Sequence, residues 1–276
     1  MEISGTTRII AHLGYPTESF KAPLIYNPYF KAFDIDAVVV PMGCASEDFA
    51  HFFRGVVRLS NFQGCLITMP HKVTVVDLLD VQSTTVQITG SCNAVKRNAQ
   101  GQLVGDMFDG DGFVRGVERR GRDLKGASVL VVGCGGAGSA IAASLAQAGV
   151  ARLGLRESEA RKSTALASRL SRHCAGVALE LEPVADESWD VIVNATPLGM
   201  KKDDPLPMDL SGVPTSTLIG EVVLTEEVTP FLRAARAKGC DIQIGLDMLY
   251  EQIPAYLEFF GMRTTTPAEL RAIARL

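Results

Sequence analysis

Apolar and polar positions along this chain predict short buried strands that alternate with helices. Arg8 to Leu13 reads as a strand, broken by Gly14 and Pro16. Asp36 to Pro41 and Gly64 to Thr68 read as two more. Between them Phe49, Phe52, Phe53, Val56 and Val57 recur at helical spacing, which predicts a helix over Ser46 to Leu59 with Ser46 as its N-cap. Pro70 suits the start of a further helix. In the second half, Ser128 to Val132 is apolar and β-branched enough for a strand buried on both faces. A helix over Ala137 to Ala148, a weaker strand over Arg152 to Leu155 and an amphipathic helix over Glu159 to Cys174 follow. Trp189 to Val193 and Thr217 to Gly220 are strands. Thr229 to Lys238 is a helix closed by Gly239, Gly245 to Phe260 is another, and Thr266-Pro-Ala-Glu269 opens a last one. This alternation predicts an α/β protein with a parallel sheet and helices on both faces.

Composition narrows the class. The 276 residues fit one large or two modest domains. With 27 basic against 31 acidic residues the net charge is −4, and without a basic run no general nucleic-acid surface is expected. No apolar stretch reaches the roughly 20 residues that cross a bilayer. Met1 to Arg8 lacks an apolar signal core, so a cytoplasmic protein is expected. Cys44, Cys65, Cys92, Cys134, Cys174 and Cys240 lie far apart and show no zinc spacing, so no metal is expected and the cysteines read as buried small hydrophobes. Glycine, at 26 residues, exceeds the usual share.

Several of those glycines carry chemistry. Gly133-Cys-Gly135-Gly136-Ala137 follows the strand at Ser128 and opens a helix, the context of a dinucleotide-binding turn. There backbone N–H groups and a helix N-terminus can approach a pyrophosphate. Ser139 falls where a third dinucleotide glycine is sought. The following strand ends at Arg156-Glu157-Ser158, about 20 residues on, where an acidic group reads a ribose. Glu157 favours NAD; Arg156 and Arg161 favour the 2′-phosphate of NADP. Two further loops precede predicted helices: Thr68-Met-Pro-His71-Lys72, and Asp109 between glycines.

With these in place the chain resembles the shikimate/quinate dehydrogenase family nearly end to end. The matching residues are Gly14, Pro16, Lys21, Pro23 and Asn27, then Gly64, Thr68, Pro70 and Lys72, then Gly90, Asn93, Asp109 and Gly110. They continue through the Gly133 loop, Asn194-Ala-Thr196, Gly199-Met200, Thr229-Pro230, and Gly245, Met248 and Gln252. The resemblance implies a substrate domain over residues 1–103, a Rossmann-type, doubly wound NAD(P)-binding domain over 104–244, and C-terminal helices over 245–276 that return to the substrate domain. It implies reversible hydride transfer between a nicotinamide and a secondary alcohol on an alicyclic polyol, as in aromatic amino acid biosynthesis. Lys72 and Asp109 would be catalytic and sit together on the substrate hydroxyls, joined by Thr68, Asn93 and Gln252. Gly133, Gly135, Gly136, Ala137, Arg156, Glu157, Arg161, Asn194, Thr196, Gly245 and Met248 would face the cofactor. No role falls to His71. A lysine beside the reacting oxygen can move its proton or stabilise a developing alkoxide.

The chain departs from the family at one end of the substrate. The family's Ser-x-Ser-Pro stretch, whose hydroxyls bind a carboxylate, reads Phe20-Lys21-Ala22-Pro23. Leu224 stands at a tyrosine position, and Tyr26 where histidine is common. Each lost bond to a carboxylate is worth ~1.5–3 kcal/mol. The chemistry would be kept while the substrate differs there, or a carboxylate would reach Ser19, Tyr26 or Lys21 instead. Arg156-Glu157-Ser158 also replaces the Asn-Arg-Thr of NADP-using members, which leans towards NAD because Glu157 would repel a 2′-phosphate. Two other readings stand beside this one: a non-catalytic NAD(P)-binding sensor, and a two-domain dehydrogenase acting on an amino acid or a folate. The partner is a small molecule. Monomer and homodimer both stay open.

Overall fold

A computed structural model describes residues 2–18, 20–183 and 188–275. Its first sheet is built around β1 (Arg8–Gly14), whose Ile10, Ala11 and Leu13 are fully enclosed. Helix α1 (Ala22–Ala32) leads to β2 (Ala37–Gly43), and α2 (Phe49–Val56) to β3 (Phe62–Ile67). The strands β2 and β3 flank β1 in parallel. A 3-10 turn (Thr74–Leu78), β4 (Val81–Gln82), α3 (Thr84–Thr89), β5 (Ala94–Arg97) and β6 (Leu103–Asp106) follow. Among the described residues the order is β2-β1-β3-β5-β6-β4, with β5 antiparallel to both neighbours.

Helix α1 shows how local sequence is accommodated. Pro28 lies inside it and cannot donate to the carbonyl of Leu24. The amide of Arg275 bonds that carbonyl instead, at 3.1 Å. Asn27 then fastens the helix to β2: its side chain donates to the carbonyl of Val39 at 3.0 Å and accepts from the Val39 amide at 2.8 Å.

The second sheet follows α4 (Asp109–Arg119). It takes β7 (Ser128–Val132), α5 (Gly136–Gln147), β8 (Arg152–Arg156), α6 (Ala160–His173) and β9 (Ala178–Leu181) in one direction. It then takes β10 (Val191–Asn194), β11 (Leu218–Glu221), α7 (Pro230–Lys238) and β12 (Ile242–Gln243) in the other. The order is β12-β11-β10-β7-β8-β9, all parallel. This is the doubly wound Rossmann arrangement, and the winding reverses at the carboxyl end of β7, where such sheets bind ligands. Its core joins Leu130, Trp189, Ile192, Ile219, Phe231 and Leu232, all buried. Helices α8 (Gly245–Phe259) and α9 (Pro267–Ile273) end the chain. No helix among the described residues is long and apolar enough to cross a membrane.

The chain divides into two units, Met1–Phe108 with Ile253–Leu276, and Asp109–Gln252. These bounds differ from the expected divisions at 103/104 and 244/245 by a few residues, for packing reasons. Strand β6 pairs with β5 from Leu103 to Asp106, which keeps it in the first sheet. The start of α8 lies against the segment that follows β11: a Cβ on Gly245 would come within 2.1 Å of the Val223 carbonyl oxygen. Its later residues join the first unit, where Tyr256 packs on Phe108 and Lys96 donates to the Phe259 carbonyl at 2.6 Å.

Other expectations shift locally. Helix α2 starts at Phe49, with Asp48 rather than Ser46 at its N-cap. Pro70 starts no helix; residues 70–73 form turns before the 3-10 segment. Thr229 and Thr266 do cap α7 and α9, and Thr266 forms a full capping box with Glu269.

Candidate active site

In the first unit the loop from Thr68 to Lys72 hangs from the carboxyl end of β3. Backbone bonds fix it at both ends: the Thr68 amide donates to the Leu13 carbonyl and the Cys92 amide to the Lys72 carbonyl, each at 2.8 Å. His71 secures the middle. It is 1% exposed, its Nε2 lies 2.8 Å from the Cys44 carbonyl, and its ring stacks on Phe49 at 4.0 Å. That buried, structural placement gives His71 no access to a ligand, whereas Lys72 beside it is half-buried. Asn93 is buried and accepts from the Phe108 amide at 2.9 Å.

Beside this loop, Gly14 ends β1 under tight cover. A Cβ there would lie 2.3 Å from the Thr68 methyl, 2.8 Å from the Met69 carbonyl oxygen and 2.8 Å from Phe20 Cζ. The Phe20 ring therefore lies over the strand end next to Thr68. Ala22 and Tyr26, one helical turn apart on α1, are 8% and 1% exposed. The Tyr26 hydroxyl is enclosed without a hydrogen-bond partner, and burial holds its pKa well above the usual phenol value. Ser19 lies outside the described residues.

In the second unit the backbone of the glycine loop shows whether a dinucleotide can approach. Gly133 has φ 98°, a region L side chains avoid, and a Cβ there would meet the Thr196 amide at 2.9 Å. A Cβ on Gly135 or Gly136 would meet nothing within 4 Å, so the backbone of both is open to a ligand at the N-terminus of α5. A Cβ on Gly138 would lie 1.8 Å from the Gly133 carbonyl oxygen. The third glycine of the fingerprint is thus Gly138, not the position of Ser139. The spacing Gly133-x-Gly135-x-x-Gly138 was present in the sequence; Gly133 and Gly138 meet steric demands of the fold, while Gly135 leaves its backbone open.

Glu157 ends β8 beside this loop. It accepts from the Cys134 amide at 2.8 Å, from Ser158 at 2.9 Å and from the Glu159 amide at 3.2 Å. Burial raises its pKa, but these donors outweigh it and leave the carboxyl below its usual value. Arg156 donates to the Pro183 carbonyl, and Arg161 pairs with Glu159 at 2.9 Å on the surface. Asn194 is fully buried and organises its own loop: it accepts from Thr196 Oγ at 2.6 Å and donates to the Leu198 carbonyl at 3.0 Å. Ala137 lies in the first turn of α5, and Met248 is buried on α8.

Asp109 is the first residue of α4 and is 6% exposed. Gly110 lets α4 approach α5, since a Cβ there would lie 2.1 Å from the Ala140 carbonyl oxygen. Gln252 is 7% exposed on α8, its Oε1 enclosed without a hydrogen-bond partner, and its Cβ lies against Gly112. Leu224 is half-buried after β11. No cluster of metal-ligating side chains occurs among the described residues.

Sequence reasoning missed two buried titratable groups near these loops. Glu221, at the end of β11, is fully buried and accepts from Thr229 at 2.9 Å. His12 on β1 stacks on Phe20. A histidine or glutamate inside a strand carries no local signal; only the neighbours that the fold supplies distinguish it.

Residues 13–95 match the family model described as the shikimate dehydrogenase substrate binding domain. The shikimate dehydrogenase (NADP(+)) of Salinibacter ruber is 34% identical over 92% of both chains. That of Rubrobacter xylanophilus is 31% identical over 99% of this chain and 97% of its own. Among solved structures, the quinate dehydrogenase of Corynebacterium glutamicum in complex with NAD is 27% identical, with a TM-score of 0.85, covering 97% of this chain and 98% of that one. With two sheets of matching kind, a three-glycine loop and relatives aligned along almost the whole length, the chain belongs to the shikimate dehydrogenase family of oxidoreductases.

Proposed function

We propose that this protein catalyses reversible, NAD(P)-dependent oxidation of a secondary alcohol on an alicyclic polyol, with a substrate end that does not require a carboxylate. The observation that carries this reading is the contrast between the two groups of site residues. Lys72, Asp109, Thr68, Asn93 and Gln252 are all present, while the family's carboxylate-binding hydroxyls are replaced by Phe20, whose ring tip lies over Gly14, and by buried Ala22. When bound, the nicotinamide supplies the hydride acceptor. Oxidation breaks a C–H bond and an O–H bond: the hydride would pass to the bound cofactor, and the hydroxyl proton must leave through this chain's own residues. Lys72 Nζ handles that proton or stabilises the alkoxide as it forms. Asp109, Thr68, Asn93 and Gln252 bind the ring hydroxyls and fix which carbon reacts.

For the cofactor, the open backbone at Gly135 and Gly136 and the N-terminus of α5 would hold the pyrophosphate, with Glu157 on the adenosine ribose. The Glu157 carboxylate opposes a 2′-phosphate, and Arg156 and Arg161 already hold other partners, which supports NAD over NADP.

Lys72→Ala tests the assignment of chemistry. The expected result is a fall in kcat of about 10²–10⁴ with cofactor affinity, followed by fluorescence titration, unchanged. Loss of cofactor binding with kcat preserved would mean that Lys72 serves the cofactor instead.

A further inference from the structure

His12, on β1, takes no part in the hydride transfer described above, yet its ring meets that of Phe20. The two centroids are 4.1 Å apart and the planes 26° from parallel. His12 and Gly14 point to one face of β1, two residues apart, and Phe20 touches that face at both. On the neighbouring strand Leu66 is the register partner of His12, and Thr68 follows two residues on, over Gly14. His12 therefore lies in the floor beneath Phe20, one step from Thr68, within the same unit as Lys72.

Its polar atoms are arranged unusually for a core histidine. The residue is 8% exposed, and Nδ1 is enclosed with no hydrogen-bond partner. Burial, aided by the positive charge of Lys72, lowers its pKa to about 4, so the ring is neutral near pH 7. A neutral ring carries one N–H, and an enclosed Nδ1 without an acceptor leaves that proton on Nε2. The residue's remaining exposure belongs to atoms other than Nδ1. Nε2 is not among the enclosed atoms without a partner, so its N–H is the donor that a ligand can meet.

Building on the dehydrogenase reading, we propose that His12 is a specificity-determining substrate contact that donates one hydrogen bond to an uncharged oxygen, a hydroxyl or a carbonyl, on the substrate end packed against Phe20. A carboxylate has two oxygens and about four lone-pair sites to satisfy. One neutral N–H beside a phenyl ring satisfies only one of them. A hydroxymethyl or carbonyl group is satisfied by one or two bonds. The loss of two hydroxyls at Phe20 and Ala22 and the placement of His12 under Phe20 thus act together: they exchange an anion site for a neutral polar one.

The test compares shikimate with its hydroxymethyl counterpart, in which CH2OH replaces the carboxylate, using wild type, His12→Leu and His12→Asn. Initial rates with each cofactor are read beside calorimetric titration of both compounds into the cofactor-saturated protein. Wild type should favour the hydroxymethyl compound. His12→Leu should weaken it about tenfold in KM and in titration, with kcat and the shikimate constants little changed. His12→Asn, which keeps a neutral donor, should recover most of the loss. Equal effects on both compounds, no effect on either, or a wild-type preference for shikimate would overturn the proposal. Selective binding lost in His12→Leu, with no turnover of either compound, would support the contact while sinking the hydride chemistry. Thermal melting and cofactor titration of each variant report folding; should His12→Leu fail to fold, His12→Asn against His12→Phe carries the same comparison.

Discussion

At the level of single side chains, the position of Phe20 makes a direct prediction. Its ring tip and the Thr68 methyl both crowd the space over Gly14. The double variant Phe20→Ser, Ala22→Ser replaces that cover with two hydroxyls. At ~1.5–3 kcal/mol for each bond to a charged group, it should lower KM for shikimate or quinate by at least about tenfold, measured by steady-state kinetics. An unchanged KM would show that a carboxylate is not bound near Phe20. Lys72 and Asp109 enter the proposed site through the resemblance that their surrounding motifs carry. His12 could not be picked out from the sequence, because its meaning comes from a ring that the chain brings back eight residues later. Tyr26 stood out as a departure, and its hydroxyl proves to be enclosed.

Secondary elements set the glycine loop, and there two neighbouring substitutions should behave differently. Gly138→Ala forces a methyl to 1.8 Å from the Gly133 carbonyl oxygen, at the junction of β7 and α5. It should lower stability by ~1–3 kcal/mol, since backbone must shift. Gly135→Ala meets nothing within 4 Å and should melt like wild type, yet bind NAD(H) at least about tenfold more weakly, since the methyl would enter the space proposed for the pyrophosphate. Differential scanning fluorimetry and cofactor titration separate the two effects. A Gly135→Ala protein with full cofactor affinity would place the pyrophosphate elsewhere. The strand β7 and helix α7 were legible in advance: one is apolar and rich in β-branched residues, the other bounded by Thr229 and Gly239. Helix α1 was not, because Pro23 and Pro28 interrupt its pattern and the Arg275 amide, distant in sequence, replaces the bond that Pro28 removes. Strands β5 and β6 have only four residues each, too few for a period to show.

On the scale of the whole molecule, the two-unit organisation was legible from the resemblance, but its borders were set by pairing at β6 and by packing along α8. Folding stability should also carry a pH signature from Glu221. Burial, opposed by the Thr229 bond and reinforced by Glu226, raises its pKa from 4.5 to about 7. The unfolded chain loses this proton first, so the contribution is complete below about pH 4.5 and is lost as pH rises through about 7. Urea denaturation at about pH 5 and about pH 8 should show wild type losing ~1–3 kcal/mol across that window relative to Glu221→Gln. Parallel curves would mean that Glu221 is already ionised in the fold.

Hydride transfer from a cyclic alcohol to a nicotinamide is the activity on which every residue assignment in the site depends. It is tested most directly by fluorimetric initial rates for a panel of alicyclic polyols, charged and uncharged, with NAD and with NADP. The predicted result is reduction of NAD by at least one polyol, faster with an uncharged substrate than with shikimate or quinate. Cofactor binding without reduction by any polyol would contradict it.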